Sequence, residues 1–310
     1  MSAAEFDLIA RFFDWPVKHR LNRLGVGDDC ALCRVPKGYE LAVTTDTMVA
    51  GVHFFENVKP AFLAHKLLAV NLSDLASMGA EPFAVTLALT LPHIDEGWLT
   101  DFSAGFRQLA ERYTVDLIGG DTTSGPLTLT LQAMGVVPEG LALRRDGAKP
   151  GDLIYVTGSL GDGGLGLKIY QGYQSACPEM ALQHFHCPEP QLQHGLALRG
   201  IASACIDVSD GLAQDLGHIL SKSDVGASLD WAQIPLSAAV REYIEQTGDW
   251  QLPLTGGDDY QLCFTVPPEK QPLLSADCTW IGVVESQLGL RLNKHGKSQT
   301  IQATGYEHFS

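Results

Sequence analysis

At residues 204–212 the chain reads Ala204-Cys205-Ile206-Asp207-Val208-Ser209-Asp210-Gly211-Leu212. Its first residues are apolar and predict a short strand, and the apolar spacing that follows predicts a helix over 211–221. Asp207 and Asp210 stand at positions i and i+3 of this junction, with Ser209 between them. A helix N-terminus placed there also offers free N–H groups to a phosphate. The segment therefore predicts a mixed α/β fold that carries acids where strands meet helices.

The same succession of strand, acid and helix occurs in the other half of the chain. Residues 41–45 predict a strand that ends at Asp46, and residues 60–78 predict a helix that ends before Gly79. Residues 115–118 predict a strand that ends at Gly119-Gly120-Asp121. Further strands are predicted at 83–91, 127–137, 152–157, 260–266 and 280–284, and further helices at 95–113, 165–171, 191–203 and 236–246.

A change of composition separates the two halves. Residues 138–150 contain proline, glycine and the basic residues Arg144, Arg145 and Lys149. We place a domain boundary in this segment, which gives an N-terminal domain at 1–138 and a C-terminal domain at 139–310. Residues 172–190 resemble no pattern that we can place, and the polar stretch around Pro188 and Pro190 predicts a surface insertion.

Charge and composition restrict the class of protein. The net charge is −15, which disfavours binding to nucleic acid, because that class needs a basic surface. The seven cysteines are an odd number at irregular spacings, as expected in a reducing compartment. The N-terminus lacks the pattern of a secretory signal, and no apolar run approaches 18 residues. We therefore expect a cytoplasmic protein that is not embedded in a membrane.

Six short acidic clusters recur in stretches rich in glycine, serine or threonine. Aspartates gathered from several loops repel one another unless a cation lies between them. Oxygen ligands of this kind favour Mg²⁺, which usually also binds the phosphates of a substrate. The pattern therefore predicts metal-dependent phosphate chemistry. The clusters are Gly27-Asp28-Asp29, Thr44-Thr45-Asp46-Thr47, Asn71-Leu72-Ser73-Asp74, Gly119-Gly120-Asp121-Thr122-Thr123, Asp207-Val208-Ser209-Asp210 and Gly256-Gly257-Asp258-Asp259.

Other motifs leave alternatives open. Gly161, Gly163 and Gly166 form a G-x-G-x-x-G pattern after a predicted strand, so a dinucleotide-binding protein is one alternative. Cys30 and Cys33 form a C-x-x-C pair without a second pair to complete a zinc site. A further, weak candidate for a metal site consists of His184, His186 and Cys187. The chain contains neither a P-loop nor a G-x-S-x-G nucleophile motif.

The acidic clusters resemble those of the thiamine-monophosphate kinases in their residues and in their order along the chain. The resemblance includes Thr45-Asp46-Thr47-Met48-Val49-Ala50-Gly51-Val52-His53-Phe54 and the ending Gly305-Tyr306-Glu307-His308-Phe309, and it covers nearly the whole chain. It implies a two-domain ATP-binding fold like that of aminoimidazole ribonucleotide synthetase, with a homodimer formed through the N-terminal half. It also implies ATP- and Mg²⁺-dependent phosphorylation of thiamine monophosphate to thiamine diphosphate by direct in-line transfer.

The resemblance also assigns roles to single residues. Because metals neutralise most of the charge in phosphoryl transfer, it implies no separate catalytic side chain. By similarity, several Mg²⁺ ions are held by Asp29, Thr44, Thr45, Asp46, Asp74, Asp121, Asp207 and Asp210. ATP is contacted by Gly120, Asp121, Arg145 and Ser209, and thiamine monophosphate by His53, Asp258 and Tyr306.

Two further alternatives remain at this level. One is another ATP-dependent enzyme of the same superfamily, such as a selenophosphate synthetase. A reactive cysteine near the N-terminus is expected there, whereas the first 29 residues contain none. The other is a non-catalytic metal or nucleotide sensor. Within the paired acids, we expect Asp28 and Asp259 to be structural.

Overall fold

The chain forms two compact units. A computed structural model describes residues 3–176 and 178–305. The N-terminal unit comprises the residues up to 75 together with 80–140, and the C-terminal unit comprises 76–79 together with the residues from 141 onward. Residues 76 and 77 end a helix that begins in the N-terminal unit.

The N-terminal unit is built on a four-stranded sheet in the order β3-β6-β4-β5. β3 and β4 each pair antiparallel with β6, whereas β4 and β5 are parallel. A separate pair, β1 and β2, is antiparallel. The elements are α1 (Ala3–Phe12), β1 (Asn22–Leu24), β2 (Leu32–Cys33), β3 (Tyr39–Val49), α2 (Pro60–Ser77), β4 (Glu81–Leu91), α3 (Glu96–Arg112), β5 (Asp116–Ser124) and β6 (Thr128–Pro138).

Local signals fix the ends of the long helices in this unit. α2 ends before Gly79, whose φ of 64° is readily adopted only by glycine. α3 begins after Asp95, whose side chain accepts the Trp98 N–H at 3.0 Å, and it ends with Arg112 in its last turn. Leu67 and Leu72 of α2 and Phe102 and Phe106 of α3 are all fully buried. The core of the unit therefore lies under the two helices.

The C-terminal unit is built on a seven-stranded sheet in the order β13-β12-β9-β11-β7-β10-β8. Its pairs are antiparallel except for β9 and β12, which are parallel. The elements are β7 (Leu153–Thr157), α4 (Asp162–Tyr170), α5 (Pro178–His186), α6 (Leu192–Ala197), β8 (Ala204–Asp207), α7 (Leu212–Ser223), β9 (Gly226–Asp230), α8 (Ala238–Thr247), α9 (Leu252–Thr255), β10 (Leu262–Val266), β11 (Cys278–Glu285), β12 (Gly289–Lys294) and β13 (Lys297–Ile301), with short 3₁₀ turns at Trp231–Gln233 and Pro268–Leu273.

The main core of this unit joins one face of α7 to the sheet. Leu212, Leu216 and Ile219 recur at helical spacing and are buried against strand residues such as Ile206 and Leu229. β8 is an edge strand of the sheet, yet it is buried along its whole length, including Asp207 at its end. The junction that carries Asp207 and Asp210 is therefore held on a rigid strand and a rigid helix.

Several sequence-based boundaries are wrong, and two strand ends share one physical reason. β3 does not end at Asp46 but continues to Val49, and β5 contains Gly119-Gly120-Asp121 instead of ending before it. In both cases pairing with a neighbouring strand continues through the aspartate, which by itself disfavours a strand, and into the residues after it. The helix predicted over 191–203 is shorter, since α6 ends at Ala197.

The segment 172–190 is also more ordered than a polar surface insertion. It contains α5, whose Ala181 and Phe185 are buried. A Cβ on Gly166 of α4 would meet the Phe185 Cβ at 2.4 Å, so α5 packs closely on α4 because Gly166 has no side chain. The patterns of α1, β9, β12 and β13 were not recognised in the sequence.

The predicted fold class, a mixed α/β chain, is confirmed by the structure. Over residues 3–176 and 178–305, no helix combines the length and the apolarity needed to cross a bilayer.

Candidate active site

Two acids of the N-terminal unit are brought together by β3 and α2. Thr44 and Asp46 alternate with the exposed residues of β3, and Asp74 lies near the end of α2. The Thr44 hydroxyl donates a short hydrogen bond to the Asp74 carboxylate. Burial, and then the negative charge of Asp74, raise the pKa of Asp46 to about 7. Two carboxyl groups and a hydroxyl therefore share one half-buried place that favours a cation.

A buried amide oxygen in the same region lacks a hydrogen-bond partner. Asn71 lies one turn before Asp74 on α2 and is fully buried. Its amide nitrogen donates to the Leu67 carbonyl at 2.9 Å, which fixes the orientation of the amide. Its Oδ1 is buried without a hydrogen-bond partner in the described structure. An unsatisfied buried acceptor costs about 1–3 kcal/mol, so a water or a cation is expected to satisfy it.

The other predicted ligands of this unit are not part of that group. Thr45 lies on the exposed face of β3, where it accepts a long 3.5 Å hydrogen bond from Gln132. Asp29 is exposed, and its N–H donates to the Asp28 carboxylate at 3.0 Å. Asp121 and Gly120 lie exposed on β5, at the opposite edge of the sheet from β3. Three strand spacings, on the order of 14 Å, therefore separate Asp121 from Asp46 along the sheet.

His53 follows β3 in a tight turn. Its Nδ1 accepts the Val49 N–H at 3.0 Å, and the ring is half-buried. In the neutral ring this contact leaves the proton on Nε2. His53 can therefore donate a hydrogen bond to an anion.

In the C-terminal unit, a residue that sequence reasoning missed organises the predicted phosphate loop. Asp215, in the first turn of α7, accepts the N–H groups of Ser209, Asp210 and Gly211 at 3.0, 3.0 and 3.1 Å. Burial raises the pKa of Asp215 to about 7 despite these bonds. The sequence signal that could have identified Asp215 is its position in the first turn of a helix that follows a glycine. Asp215 thus takes the N–H groups that the sequence assigned to a phosphate.

The two predicted metal ligands of this loop differ in exposure. Asp207 ends β8 and is only 3% exposed. Asp210 is half-buried and accepts a hydrogen bond from Gln214 at 3.1 Å. Ser209 is held from both sides, because its carbonyl also accepts the Asp258 N–H at 2.8 Å. The loop is therefore preorganised by backbone contacts.

The side chains of Asp258 and Asp259 have different hydrogen-bond partners. Asp258 has a φ of 66°, a strained value for a residue with a side chain, and its carboxylate accepts the Tyr260 hydroxyl at 3.0 Å. Asp259 is buried and accepts the N–H groups of Gly161 and Gly163 at 2.6 and 2.9 Å. Burial raises the pKa of Asp259 to about 8. This geometry agrees with the expectation that Asp259 is structural.

The same contacts occupy the G-x-G-x-x-G motif. The N-terminus of α4, where a pyrophosphate would lie, already binds the Asp259 carboxyl group. Asp162, also buried, accepts the hydroxyls of Ser159 and Ser237 at 2.5 and 2.6 Å. The dinucleotide-binding alternative is therefore wrong for this motif, because an internal acid takes the place of the ligand.

Two adjacent arginines differ in their partners. Arg144 forms an ion pair with Asp146 at 2.6 Å, whereas Arg145 is exposed and no acid of the described residues is paired with it. Arg145 is therefore the one available to an anion. Tyr306, predicted to contact the substrate, lies outside the described residues.

Comparisons with known proteins cover the whole chain. Two models of the AIR synthase related protein family match it, the N-terminal domain at residues 27–137 and the C-terminal domain at 149–289. Relatives include the thiamine-monophosphate kinase of Escherichia coli (strain K12), 46% identical over 100% of this chain and 99% of that protein. The thiamine-monophosphate kinase of Haemophilus influenzae is 44% identical with the same coverage.

Solved structures give the same result. The crystal structure of thiamine-monophosphate kinase from Stenotrophomonas maltophilia K279a has a TM-score of 0.86 and 41% identity, over 96% of this chain and 99% of that one. A structure described as AaThiL complexed with AMPPCP and TMP has a TM-score of 0.81 and 29% identity, over 98% of this chain and 96% of that one.

The sequence identity distinguishes among the members of the superfamily, because it reaches 46% over the whole chain for a thiamine-monophosphate kinase. The chain belongs to the thiamine-monophosphate kinases, a group of enzymes within the AIR synthase related proteins.

Proposed function

We propose that this protein transfers the γ-phosphoryl group of ATP directly to the phosphate of thiamine monophosphate, which yields thiamine diphosphate and ADP. The observation that carries the proposal is the similarity over the whole chain to thiamine-monophosphate kinases, including a structure described with AMPPCP and TMP. The acceptor is already an anion, so no strong general base is required. Positioning and neutralisation of charge then supply most of the catalysis.

Mg²⁺ fits the acids of the N-terminal unit. Thr44, Asp46 and Asp74 offer only oxygen atoms, and the unpartnered Asn71 Oδ1 lies one turn away. The pKa of Asp46 is raised by burial and by Asp74, and a divalent cation would relieve both causes. When bound, Mg²⁺ supplies positive charge that offsets the repulsion between two phosphate-bearing substrates. Further ions are proposed for Asp29, Thr45, Asp121, Asp207 and Asp210.

The protein side chains bind and orient the two substrates. For ATP we propose Gly120, Asp121, Arg145 and Ser209, of which Arg145 is an exposed cation without a paired acid among the described residues. For thiamine monophosphate we propose His53, whose Nε2–H can donate to the phosphate, together with Asp258 and Tyr306. Residues 1–138 would form the domain for Mg²⁺, ATP and dimerisation, and 139–310 would supply the remaining ATP and substrate contacts.

A homodimer formed through the N-terminal half is part of the proposal. Leu41 and Val43, alternate residues of β3, are 47% and 52% exposed on the open face of the sheet. An exposed apolar strand surface favours association with a second copy. In sedimentation, Leu41→Arg with Val43→Arg should yield a monomer, whereas Leu273→Arg, at an exposed leucine of the C-terminal unit, should not. A double variant that stays dimeric would contradict this interface.

We also propose a cytoplasmic location. Cys30, Cys33, Cys205, Cys263 and Cys278 are free thiols, as a reducing compartment would keep them. Tagged protein that fractionates with the cytoplasmic contents would support this location. Recovery in a periplasmic or secreted fraction would contradict it.

An ADP-release assay tests the proposed reaction. With ATP and Mg²⁺, ADP release should rise strongly when thiamine monophosphate is added and should stay at background with thiamine, because thiamine lacks the acceptor phosphate. Chromatography should identify thiamine diphosphate as the second product. Failure of thiamine monophosphate to stimulate ATP turnover would refute the proposal.

A further inference from the structure

Three potential metal ligands converge in the C-terminal unit, outside the proposed kinase site. His194 of α6, Asp277 and Cys278, at the start of β11, each offer one ligand atom, and these atoms all lie within 4.8 Å of one another. The His194 Nε2 lies 3.0 Å from the Asp277 Oδ2. Among the described residues, this is the one group of three or more histidine, cysteine and acidic side chains with such spacing. Neither Cys30-x-x-Cys33 nor His184, His186 and Cys187 forms such a group.

The neighbour of His194 fixes the state of its ring. The Gln191 Nε2 donates to the Glu189 carbonyl at 3.0 Å, so the Gln191 Oε1 faces the ring and accepts from its Nδ1 at 2.9 Å. The proton therefore lies on Nδ1, and in the neutral ring the lone pair of Nε2 points toward a carboxylate oxygen. Two acceptors at 3.0 Å repel each other. The contact requires either a second proton on the ring or a cation beside it.

We propose that His194, Asp277 and Cys278 bind a divalent cation of the Zn²⁺ type. The nitrogen, oxygen and sulfur donors are those that Zn²⁺ accepts, at about 2.0–2.3 Å from the ion, which places ligand atoms roughly 3.5 Å apart. The present ligand atoms lie within 4.8 Å of one another, so metal binding would require side-chain rotation to reach that value. The Gln191 contact is the arrangement that orients a metal-binding histidine, in which the second ring nitrogen donates to a carbonyl oxygen. Water would complete the coordination.

The donor set selects against the Mg²⁺ proposed for kinase chemistry. Mg²⁺ prefers oxygen ligands, whereas thiolate and imidazole favour Zn²⁺. Zn²⁺ binds the thiolate form of a cysteine, so metal binding releases the thiol proton, and the apparent affinity should increase with pH. The inference does not depend on the proposed function, because no residue of the group takes part in it.

Metal binding would connect two distant parts of the chain. His194 and Asp277 are 83 residues apart in sequence, and both are at the surface, with side-chain exposures of 23% and 64%. The ion would join α6 to the start of β11. We therefore expect the metal to raise the melting temperature of the full-length protein without being needed for turnover.

Co²⁺ is the probe for the test. Full-length protein is stripped with chelator, returned to excess Mg²⁺ to fill all-oxygen sites, and titrated with Co²⁺ and then Zn²⁺. We expect one equivalent of Co²⁺ to give tetrahedral visible absorption and a thiolate-to-cobalt charge-transfer band, both of which Zn²⁺ removes. The absence of a thiolate band in wild-type protein would overturn the proposal and assign the group to an ordinary His–Asp ion pair.

Matched variants identify the ligands. Cys278→Ser should abolish the charge-transfer band, and His194→Ala should lower Co²⁺ affinity at least tenfold. Gln191→Ala should lower Co²⁺ affinity less than His194→Ala does, by roughly 10-fold, since Gln191 only orients His194. Cys30→Ser with Cys33→Ser should leave the band intact. A band that persists in Cys278→Ser, or that disappears with the Cys30 and Cys33 substitutions, would overturn the assignment.

Discussion

The acids of the two units differ in what surrounds them. In the N-terminal unit, Asp46 accepts no hydrogen bond from the described residues and shares its place with Asp74. In the C-terminal unit, Asp215 accepts three backbone N–H groups and Asp259 accepts two. Burial raises the pKa of Asp46, Asp215 and Asp259 alike, to about 7, 7 and 8.

This difference separates acids that are candidates for binding a cation from acids that stabilise the fold. Backbone N–H groups satisfy a buried carboxylate internally, and the loop that donates them becomes rigid. A pair of carboxyl groups without such donors is costly until a cation arrives. The partners of an aspartate, and not its burial or its motif, therefore indicate its role.

The largest expected effect is at the N-terminal acids. Asp46→Asn and Asp74→Asn should each lower ADP release by a factor on the order of 10²–10³, because each removes a charge that would hold a cation at the transferred phosphate. The fold should be retained, since the like-charge contact is removed. Circular dichroism and thermal melting verify folding. Near-normal turnover in both variants would contradict the proposed role of these two acids in binding a cation.

The second effect concerns the adjacent arginines. Arg145→Ala should raise the KM for ATP about tenfold, as expected for the loss of a charge-assisted hydrogen bond to a phosphate. Arg144→Ala should change it less than twofold, because Asp146 already neutralises Arg144. Steady-state kinetics at saturating thiamine monophosphate measure both. Equal effects of the two variants would show that the ion pair does not distinguish them.

The third effect is on the pH dependence of stability. Asp259 loses its proton near pH 4 in the unfolded chain and near pH 8 in the folded one, so stability should fall as pH rises between these values. Scanning calorimetry should show a melting temperature that drops by about 2–5 °C from pH 6 to pH 8. Asp259→Asn should reduce this slope, to which the raised pKa values of Asp46 and Asp215 also contribute, while leaving the stabilisation by Mg²⁺ in place.

Asp258→Asn is the control for that slope. It lies beside Asp259 but is half-buried and bonded to the Tyr260 hydroxyl. This variant should keep most of the wild-type slope, because the charge of Asp258 is the smallest cause of the raised pKa of Asp259, and should instead weaken thiamine monophosphate binding. A melting temperature that rises from pH 6 to pH 8 in wild-type protein would refute the structural role given to a neutral Asp259.

The smallest effect is expected at the glycine motif. NAD⁺ and NADP⁺ should leave the melting temperature unchanged, because the Asp259 carboxyl group occupies the N–H groups of Gly161 and Gly163. ATP with Mg²⁺ should raise it in the same experiment. Saturable stabilisation by a dinucleotide would show that the motif is open to a ligand after all.

The fold class and most elements could be predicted from the sequence, because apolar periodicity records which face of a helix or strand is buried. α2, α3 and β8 follow their patterns closely. β13 was missed because this edge strand is polar and mostly exposed, so it has no apolar pattern. β12 was missed although its buried Leu290 and Leu292 alternate with polar residues, as a strand requires.

The candidate site was predictable only in part. Asp46 and Asp74 were both named, and their spacing along the chain could not reveal that Thr44 of β3 would donate to Asp74 of α2. Asp215 was missed, since an acid in the first turn of a helix is ordinarily satisfied by the helix itself. The group of His194, Asp277 and Cys278 has no sequence motif, because its members come from separate elements.

By itself, the sequence determined the alternation of strands and helices, the family and the set of acids from which a phosphate site is built. Those properties depend on local patterns and on the order of short motifs. Only the tertiary structure decided which acids face one another and which are satisfied by backbone N–H groups, as in Asp46 with Asp74 and in Asp259 with Gly161 and Gly163. Hydrogen bonds and charge repulsion act over a few ångströms, and only folding sets such distances between residues far apart in the chain.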